Sequence, residues 1–124
     1  MWFNASLLRV VRSLLAALRC SWLFGGAVKL ERAGRDQEAD PVLRDVLTRL
    51  SSPEIDPKLP QVVSLVVSAN FLAAQIALRH GDRERARDTL RDGLAAWGST
   101  DAGTDGALAE TLQWARTTLQ TLDS

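Results

Sequence analysis

Hydrophobic and polar residues recur along the chain with helical periodicity, most clearly over residues 59 to 78, which contain no charged side chain. On a helix the polar residues of this stretch form one narrow stripe, while valine, leucine, isoleucine and alanine fill the rest of the circumference. The stripe consists of Gln61, Ser64, Ser68 and Gln75. The pattern predicts a central helix that is apolar nearly all round and is buried by neighbouring helices or by lipid.

A second amphipathic pattern covers the N-terminal part of the chain, from Ser6 to Ala33. Large apolar residues recur on one face, and arginines lie opposite them. The apolar residues are Leu7, Val11, Leu14, Leu18 and Trp22, and the arginines are Arg9, Arg12 and Arg19. We expect a long helix that begins with Ser6 as its N-cap and packs this apolar face into the core.

Other interpretations of the N-terminal segment stay open, because residues 1 to 30 contain four basic residues and no acidic one. A secretory signal fits less well, since Arg19 interrupts the apolar stretch and no small-x-small cleavage site follows. An arginine-containing, acid-free segment also resembles an organelle transit peptide. A basic amphipathic helix can instead lie on a membrane surface, where Trp2 and Phe3 would add contact.

Glycines and prolines divide the rest of the chain into helices. Gly34 and Gly81 each suit the left-handed position that follows a helix, and Pro53, Pro57 and Pro60 exclude a helix between residues 51 and 60. The small residues between Gly98 and Gly106 predict a flexible link. Pro60 opens the central helix, which is expected to end at His80 and Gly81.

Acidic residues mark the expected helix starts. Asp36 can cap the second helix, although Pro41 fits better as a first helical residue after an Asp40 cap than as an interior residue. Asp82 is expected to cap the fourth helix, and alanine and leucine spacing predicts its inward side and that of the last helix. The inward residues are Ala86, Leu90 and Leu94, followed by Leu108, Leu112, Ala115, Leu119 and Leu122.

The two glycine breaks have corresponding surroundings. Gly34 is followed by Ala39, Leu43 and Val46, and Gly81 is followed at the same offsets by Ala86, Leu90 and Gly93. Upstream, Phe24, Gly26, Ala27 and Leu30 correspond to Phe71, Ala73, Ala74 and Ala77. The repeat predicts two helical hairpins whose small residues lie where the helices cross closely.

The sequence therefore predicts an all-α fold of about five helices, in which two stacked antiparallel hairpins precede a C-terminal capping helix. The expected single domain covers residues 1–124, with hairpin 1 at about 6–50, a proline-rich loop at 51–60, hairpin 2 at about 60–97 and the capping helix at about 104–122. A five-helix bundle without repeats is the alternative.

The spacing of these breaks resembles the tetratricopeptide repeat, which has small residues before the turn, glycine at the turn and alanine five residues later. The resemblance covers about residues 20 to 97. The family's characteristic tryptophan, tyrosine and proline positions are missing, and the two units are 47 residues apart instead of 34.

The resemblance implies a concave groove lined by the first helix of each hairpin, which would hold a partner segment. The matching positions are Ser21, Phe24, Val28 and Arg32 in the first unit, and Ser68, Phe71, Gln75 and Arg79 in the second. The polar stripe overlaps the second set and adds Ser64. Such a groove would suit an extended or helical segment with an acidic terminus. Alternatively, the stripe faces the terminal helix.

Composition gives little indication of chemistry. Fifteen basic and fifteen acidic residues cancel, so we expect no nucleic-acid binding. No phosphate loop, dinucleotide glycine pattern, nucleophile elbow or paired Cys/His spacing occurs, and nothing brings Cys20 to His80. Asp36, Glu38 and Asp40 could bind a cation, but acidic residues are common at helix starts. We expect no enzymatic activity, cofactor or metal.

The predicted function is a non-enzymatic interaction module, acting as an adaptor, chaperone or inhibitor of a protein partner in the cytoplasm. Phe24, Phe71 and Gln75 are expected to be its most exposed groove residues. The alternative is a membrane-associated subunit, with residues 59–78 crossing the bilayer or residues 6–30 lying on it. The five amide or hydroxyl side chains of 59–78 argue against its exposure to lipid. Pairing of two copies through a hairpin end is a further possibility.

Overall fold

A computed structural model describes residues 5–98 and 106–124, with side chains in the second range described from residue 109. Within these ranges five helices occur: α1 (Ala5–Arg32), α2 (Asp36–Leu50), α3 (Pro60–Arg79), α4 (Arg83–Gly98) and α5 (Gly106–Asp123). The described ranges contain no strand, so the all-α prediction is confirmed. Of the predicted link, Gly98 ends α4, Gly106 begins α5, and the residues between lie outside the description.

The two tight turns have the same backbone geometry. Gly34 and Gly81 have φ angles of 76° and 74°, in the left-handed region where glycine avoids the clash of a β-carbon. In each turn the glycine N–H and the next residue's N–H donate to carbonyls of the preceding helix, in the Schellman pattern. The bonds that span five residues run from Arg35 N to Leu30 O and from Asp82 N to Ala77 O, both at 2.9 Å.

The helix starts were predicted in part. Asp82 caps α4 as expected, because its Oδ1 accepts a hydrogen bond from the N–H of Arg85 at 3.1 Å. For α2 the prediction was wrong: Arg35 is the N-cap, without a side-chain cap, and Pro41 lies inside the helix. The Schellman turn fixes the start of α2, and Pro41 removes only one backbone bond on an exposed side. Ser6 is likewise a helical residue of α1, which begins before it.

Helix α3 lies at the centre and packs against α1, α2 and α4. One core lies between α1, α2 and α3 and includes Leu43, Val46 and Val62. A second core lies on the other side of α3, where Phe71, Leu90 and Leu112 join α3, α4 and α5. This central position buries half of α3 and accounts for its uncharged sequence.

The small residues that correspond between the two units are buried. Ala27, Ala39, Ala74 and Ala86 are fully buried. Leu43 and Leu90, at the matching later offset, are fully buried as well. The two hairpins therefore share both their turn geometry and the offsets of their buried residues.

Helix α1 packs with the face opposite to the one that its sequence suggested. Its buried residues are Ser13, Ala17, Cys20 and Ala27. The large residues that were expected in the core are exposed, Leu18 at 72% and Trp22 at 80%. The prediction was wrong because small side chains let α1 approach α2 and α3 closely, and a helix cannot bury two opposite faces in one layer of neighbours.

The connector between α2 and α3 is fastened to the N-terminal half of α1. The buried hydroxyl of Ser13 accepts a hydrogen bond from the N–H of Asp56 at 2.8 Å and donates one to Arg9 O at 2.6 Å. Arg9 Nη2 lies 3.3 Å from the carbonyl oxygen of Ile55, whose side chain enters the first core. Of the three arginines expected opposite the apolar face, Arg9 therefore contacts the connector, whereas Arg12 and Arg19 are exposed.

Helix α5 covers the second core at the end of the molecule. Leu112 and Ala115 are fully buried, Leu122 nearly so, and Leu119 is half-buried, as its spacing predicted. Arg87 of α4 donates to the carbonyl oxygen of Leu122 at 3.0 Å, which satisfies one of the free carbonyls at the end of α5.

Candidate partner-binding groove

An open groove of about 520 Å³ lies between the middle of α1 and the beginning of α3. Its walls combine apolar side chains with hydroxyl and amide groups, and none of the lining residues is charged. They are Leu14, Ala17, Leu18 and Ser21 from α1, and Pro60, Gln61, Ser64 and Leu65 from α3. The groove can accept apolar side chains while its polar groups bond to a backbone or to an amide.

The α3 wall derives from the polar stripe recognised in the sequence. Gln61, Ser64 and Gln75 are exposed and Ser68 is half-buried, so α5 does not cover the stripe. On a helix the stripe lies between the side that faces α1 and the side that contains Val67 and Phe71, which faces α4 and α5. The interpretation that the stripe faces the terminal helix is therefore wrong.

The structure brings together two of the nine predicted groove residues, Ser21 and Ser64, on opposite walls of this groove. Phe24, Val28 and Ser68 are half-buried and do not line it. Arg32 and Gln75 are exposed at other points of α1 and α3.

Phe71 does not reach the surface, and the expectation that it is exposed is wrong. Its side chain is 4% exposed and packs in the second core. Its ring meets that of Trp114 edge to face, with centroids 6.2 Å apart. Gly93 also packs against the Phe71 ring, since a β-carbon added at position 93 would be 2.5 Å from Cε1 of Phe71.

Arg79 is engaged within the molecule. Its guanidinium lies 2.7 Å from Glu31 Oε2 and donates two hydrogen bonds of 3.2 Å to the carboxylate of Asp36. The hydrogen bond to Glu31 is the main cause of the raised pKa of Arg79; partial burial opposes it, and the charge of Asp36 adds to it. Arg79 thus joins the ends of both hairpins and is not a free cation for an acidic terminus.

The acidic residues at the start of α2 all have cationic partners. Asp36 contacts Arg79 and lies 3.0 Å from Nε2 of His80. Glu38 pairs with Arg35, and Asp40 pairs with Arg44 and Arg85. In the part of the chain that the structure describes, no group of three or more potential ligands is placed to hold a metal ion.

Cys20 and His80 lie in separate places. The Cys20 side chain is buried in the first core, and this burial raises the pKa of its thiol, with a smaller opposing effect from Arg49. His80 is at the end of α3, where it contacts Asp36. Burial disfavours the thiolate, so this pair does not form an activated nucleophile.

Sequence reasoning missed most of the α1 wall. Leu14 and Leu18 were assigned to the core because they belong to the large apolar face of α1. A usable signal was present in the stripe of small residues formed by Ser13, Ala17, Cys20 and Ala27, which marks the side where α1 approaches its neighbours. Gln61 had been recognised in the stripe of α3 but not assigned to the groove.

Comparison of the chain with protein-family models, with curated proteins and with solved structures found no match.

Proposed function

We propose that the protein is a non-enzymatic interaction module that holds an uncharged segment of a partner protein in the groove between α1 and α3. The observation that carries the proposal is the groove itself, whose lining is uncharged and includes the exposed side chains of Leu14 and Leu18. Exposed leucines beside an open groove are a typical docking feature for an apolar segment. An adaptor, a chaperone or an inhibitor of a partner protein would use it in the same way.

The chemistry of the walls favours a peptide over a charged ligand. Ser21, Gln61 and Ser64 offer hydrogen-bond donors and acceptors that match backbone amides or an amide side chain. Apolar side chains of the segment would contact Leu14, Leu18 and Leu65. The partner segment in this proposal is therefore apolar on one side and uncharged, rather than acidic at its end.

A tetratricopeptide-like arrangement of the two hairpins belongs to the same proposal. It is supported by the shared Schellman turns and by the fully buried Ala39 and Ala86 at equal distances from the two turn glycines. In such an arrangement the first helices of both hairpins, α1 and α3, form the walls of the binding groove.

We place this activity in the cytoplasm, where a single buried cysteine remains reduced. Among the described helices, α3 is long and apolar enough to cross a membrane, judged by length and composition. Its packing against α1, α2 and α4 explains that composition without a bilayer. The helices on both of its sides make a structural core the simpler role for α3.

Site-specific photo-cross-linking in the native cell tests the proposal. A photoreactive residue at Ser64 should cross-link one protein, whereas the same residue at Thr48, exposed on α2, should not. Ser21→Tyr would fill the groove from the opposite wall and abolish the cross-link, while the matched Thr48→Tyr would leave it intact. Cross-links that are equal from both positions, or that persist with Ser21→Tyr in a chain of unchanged circular dichroism, would exclude the groove as the binding site.

A further inference from the structure

Seven large apolar side chains lie exposed on α1 between Leu7 and Trp22, and two of them, Leu14 and Leu18, also line the groove. They are Leu7, Leu8, Val11, Leu14, Leu15, Leu18 and Trp22, between 41% and 80% exposed. We call them the α1 apolar face. Their spacing of three, four and seven residues places them on one side of the helix, opposite the buried residues Ser13 and Cys20. No described part of the chain covers this side.

The charges that α1 itself places beside its apolar face are of one sign. Residues 5 to 22 contain Arg9, Arg12 and Arg19 and no acidic residue. Arg9 is held by carbonyl oxygens of the connector, but Arg12 and Arg19 are exposed. Each lies one helical turn after a leucine of the face, Leu8 or Leu15, so the two arginines form one edge of it.

A neighbouring helix extends this basic edge. Arg49 of α2 lines a small cavity together with Leu15 and Arg19. It is paired with Asp45 at 3.0 Å, which is the acidic group at this edge. Cationic side chains therefore lie beside the apolar residues on the α1 side and on the α2 side.

We propose that the α1 apolar face lies on an anionic bilayer surface, with α1 parallel to the membrane and without crossing it. Apolar residues on one side of a helix enter the boundary between headgroups and acyl chains, while arginines at its edge bind lipid phosphates. Trp22, at the end of the face, has the amphipathic ring that favours this boundary. The proposal does not depend on the groove, which opens along the other edge of the same face.

A second copy of the chain is a poorer occupant. From Leu7 to Trp22 the face is about 22 Å long and roughly 10 Å wide. It is therefore much smaller than a standard interface between two proteins, which buries about 800 Å² on each partner. Pairing two copies through this face would also bring Arg12 and Arg19 of both chains together without an acidic residue of α1 between them. A bilayer needs no large complementary surface, because it accepts a single convex helix, and it supplies the negative charge that the two arginines would otherwise lack.

Flotation of the full chain with vesicles tests the proposal. Vesicles of phosphatidylcholine and phosphatidylglycerol, mixed about two to one, should bind the protein, and phosphatidylcholine alone or high salt should weaken binding. Leu15→Gln with Trp22→Gln should weaken binding by about tenfold or more. These side chains are exposed, so the variant should keep its fold, which circular dichroism verifies.

Charge variants show whether binding to anionic vesicles depends on the arginines beside the α1 apolar face or on arginines anywhere on the protein surface. Arg12→Gln with Arg19→Gln should weaken binding to anionic vesicles by about tenfold or more. The matched control is Arg83→Gln with Arg116→Gln, two exposed arginines on α4 and α5, and it should bind like the parent chain.

Four results would overturn the proposal: no flotation of the full chain, unchanged binding by the Leu15→Gln, Trp22→Gln variant, equal losses in the two arginine variants, or a dimer that the apolar variant dissociates. The last result would assign the face to a second copy. Ser64→Tyr should leave flotation unchanged, so failure of vesicle binding and failure of the groove proposal are separate outcomes.

Discussion

The contact between Gly93 and Phe71 sets how closely α3 and α4 approach each other. A β-carbon at position 93 would lie 2.5 Å from Cε1 of Phe71 and 3.3 Å from the β-carbon of Asn70. The ring has little room to move, because its other contacts include Trp114. Glycine is thus required here by packing, although it is a poor helix former.

We expect Gly93→Ala to lower the free energy of unfolding by about 1–3 kcal/mol, since overpacking outweighs the gain in helix propensity. Gly26→Ala is the matched control: it lies inside α1 with no heavy atom within 4 Å of an added β-carbon. That change should raise the free energy of unfolding by about 0.5–1 kcal/mol. Urea titration followed by circular dichroism measures both, and a Gly93→Ala chain at least as stable as the parent would contradict this packing.

Phe71 belongs to the core, so its removal is expected to affect folding before binding. Phe71→Ala should lower the free energy of unfolding by about 3–5 kcal/mol, because it leaves a cavity between α3, α4 and α5. Gln75 lies one helical turn after Phe71 but in the exposed polar stripe, so Gln75→Ala should change the free energy of unfolding by less than about 0.5 kcal/mol. Thermal unfolding of the two variants compares them directly, and equal melting temperatures would show that Phe71 is not packed as described.

At the scale of elements, the buried hydroxyl of Ser13 is one of the contacts that fasten the connector before α3 to α1. Ser13→Ala removes the acceptor for the N–H of Asp56 and should cost about 1–3 kcal/mol of unfolding free energy. Ser64→Ala, on an exposed position of α3, is the control and should be nearly neutral. Hydrogen exchange should show faster exchange at Asp56 in the Ser13→Ala chain. Unchanged protection of this amide would mean that the connector is held by other contacts.

The helices and their turns were largely predictable because local chemistry determines them. Gly34 and Gly81 were recognised as left-handed residues from their type and position alone, and Pro60 marked the start of α3. Pro41 was predicted as the first residue of α2 because proline disfavours the interior of a helix. The turn at Gly34 instead fixes the start of α2 at Asp36, so Pro41 lies inside the helix. Such local signals are strong where glycine, proline or a capping acid decides the backbone.

The orientation of α1 could not be predicted in the same way. The helix has two candidate packing faces, one of large apolar residues and one of small residues such as Ala17 and Ala27. Hydrophobic periodicity selects the first, whereas the close approach of α2 and α3 selects the second. The choice depends on the surfaces of other helices, which the local pattern of α1 does not contain. The groove between α1 and α3 was therefore predicted only in part, through Ser64 on the α3 wall and Ser21 on the α1 wall.

At the scale of the whole molecule, α3 is enclosed except along its polar stripe, and α1 carries most of the surface available for binding. The net charge of residues 1 to 30 is +4, from Arg9, Arg12, Arg19 and Lys29, while the rest of the chain carries −4. Among the described residues, five acidic residues of that remainder pair with arginines of α2, α3 and α4. Helix α1 thus combines a basic edge with the exposed apolar face and one wall of the groove.

Both proposals depend on the outward orientation of α1, and the fluorescence of Trp22 tests it most directly. The emission of Trp22 is the difference between the spectra of the full chain and of Trp22→Phe, recorded at a concentration where light scattering shows a monomer. With 80% of its side chain exposed, Trp22 should emit at long wavelength and be quenched by acrylamide nearly as efficiently as free tryptophan. A blue-shifted difference spectrum that resists quenching in the monomer would show that the large apolar face of α1 is packed inside the protein, and would contradict the account.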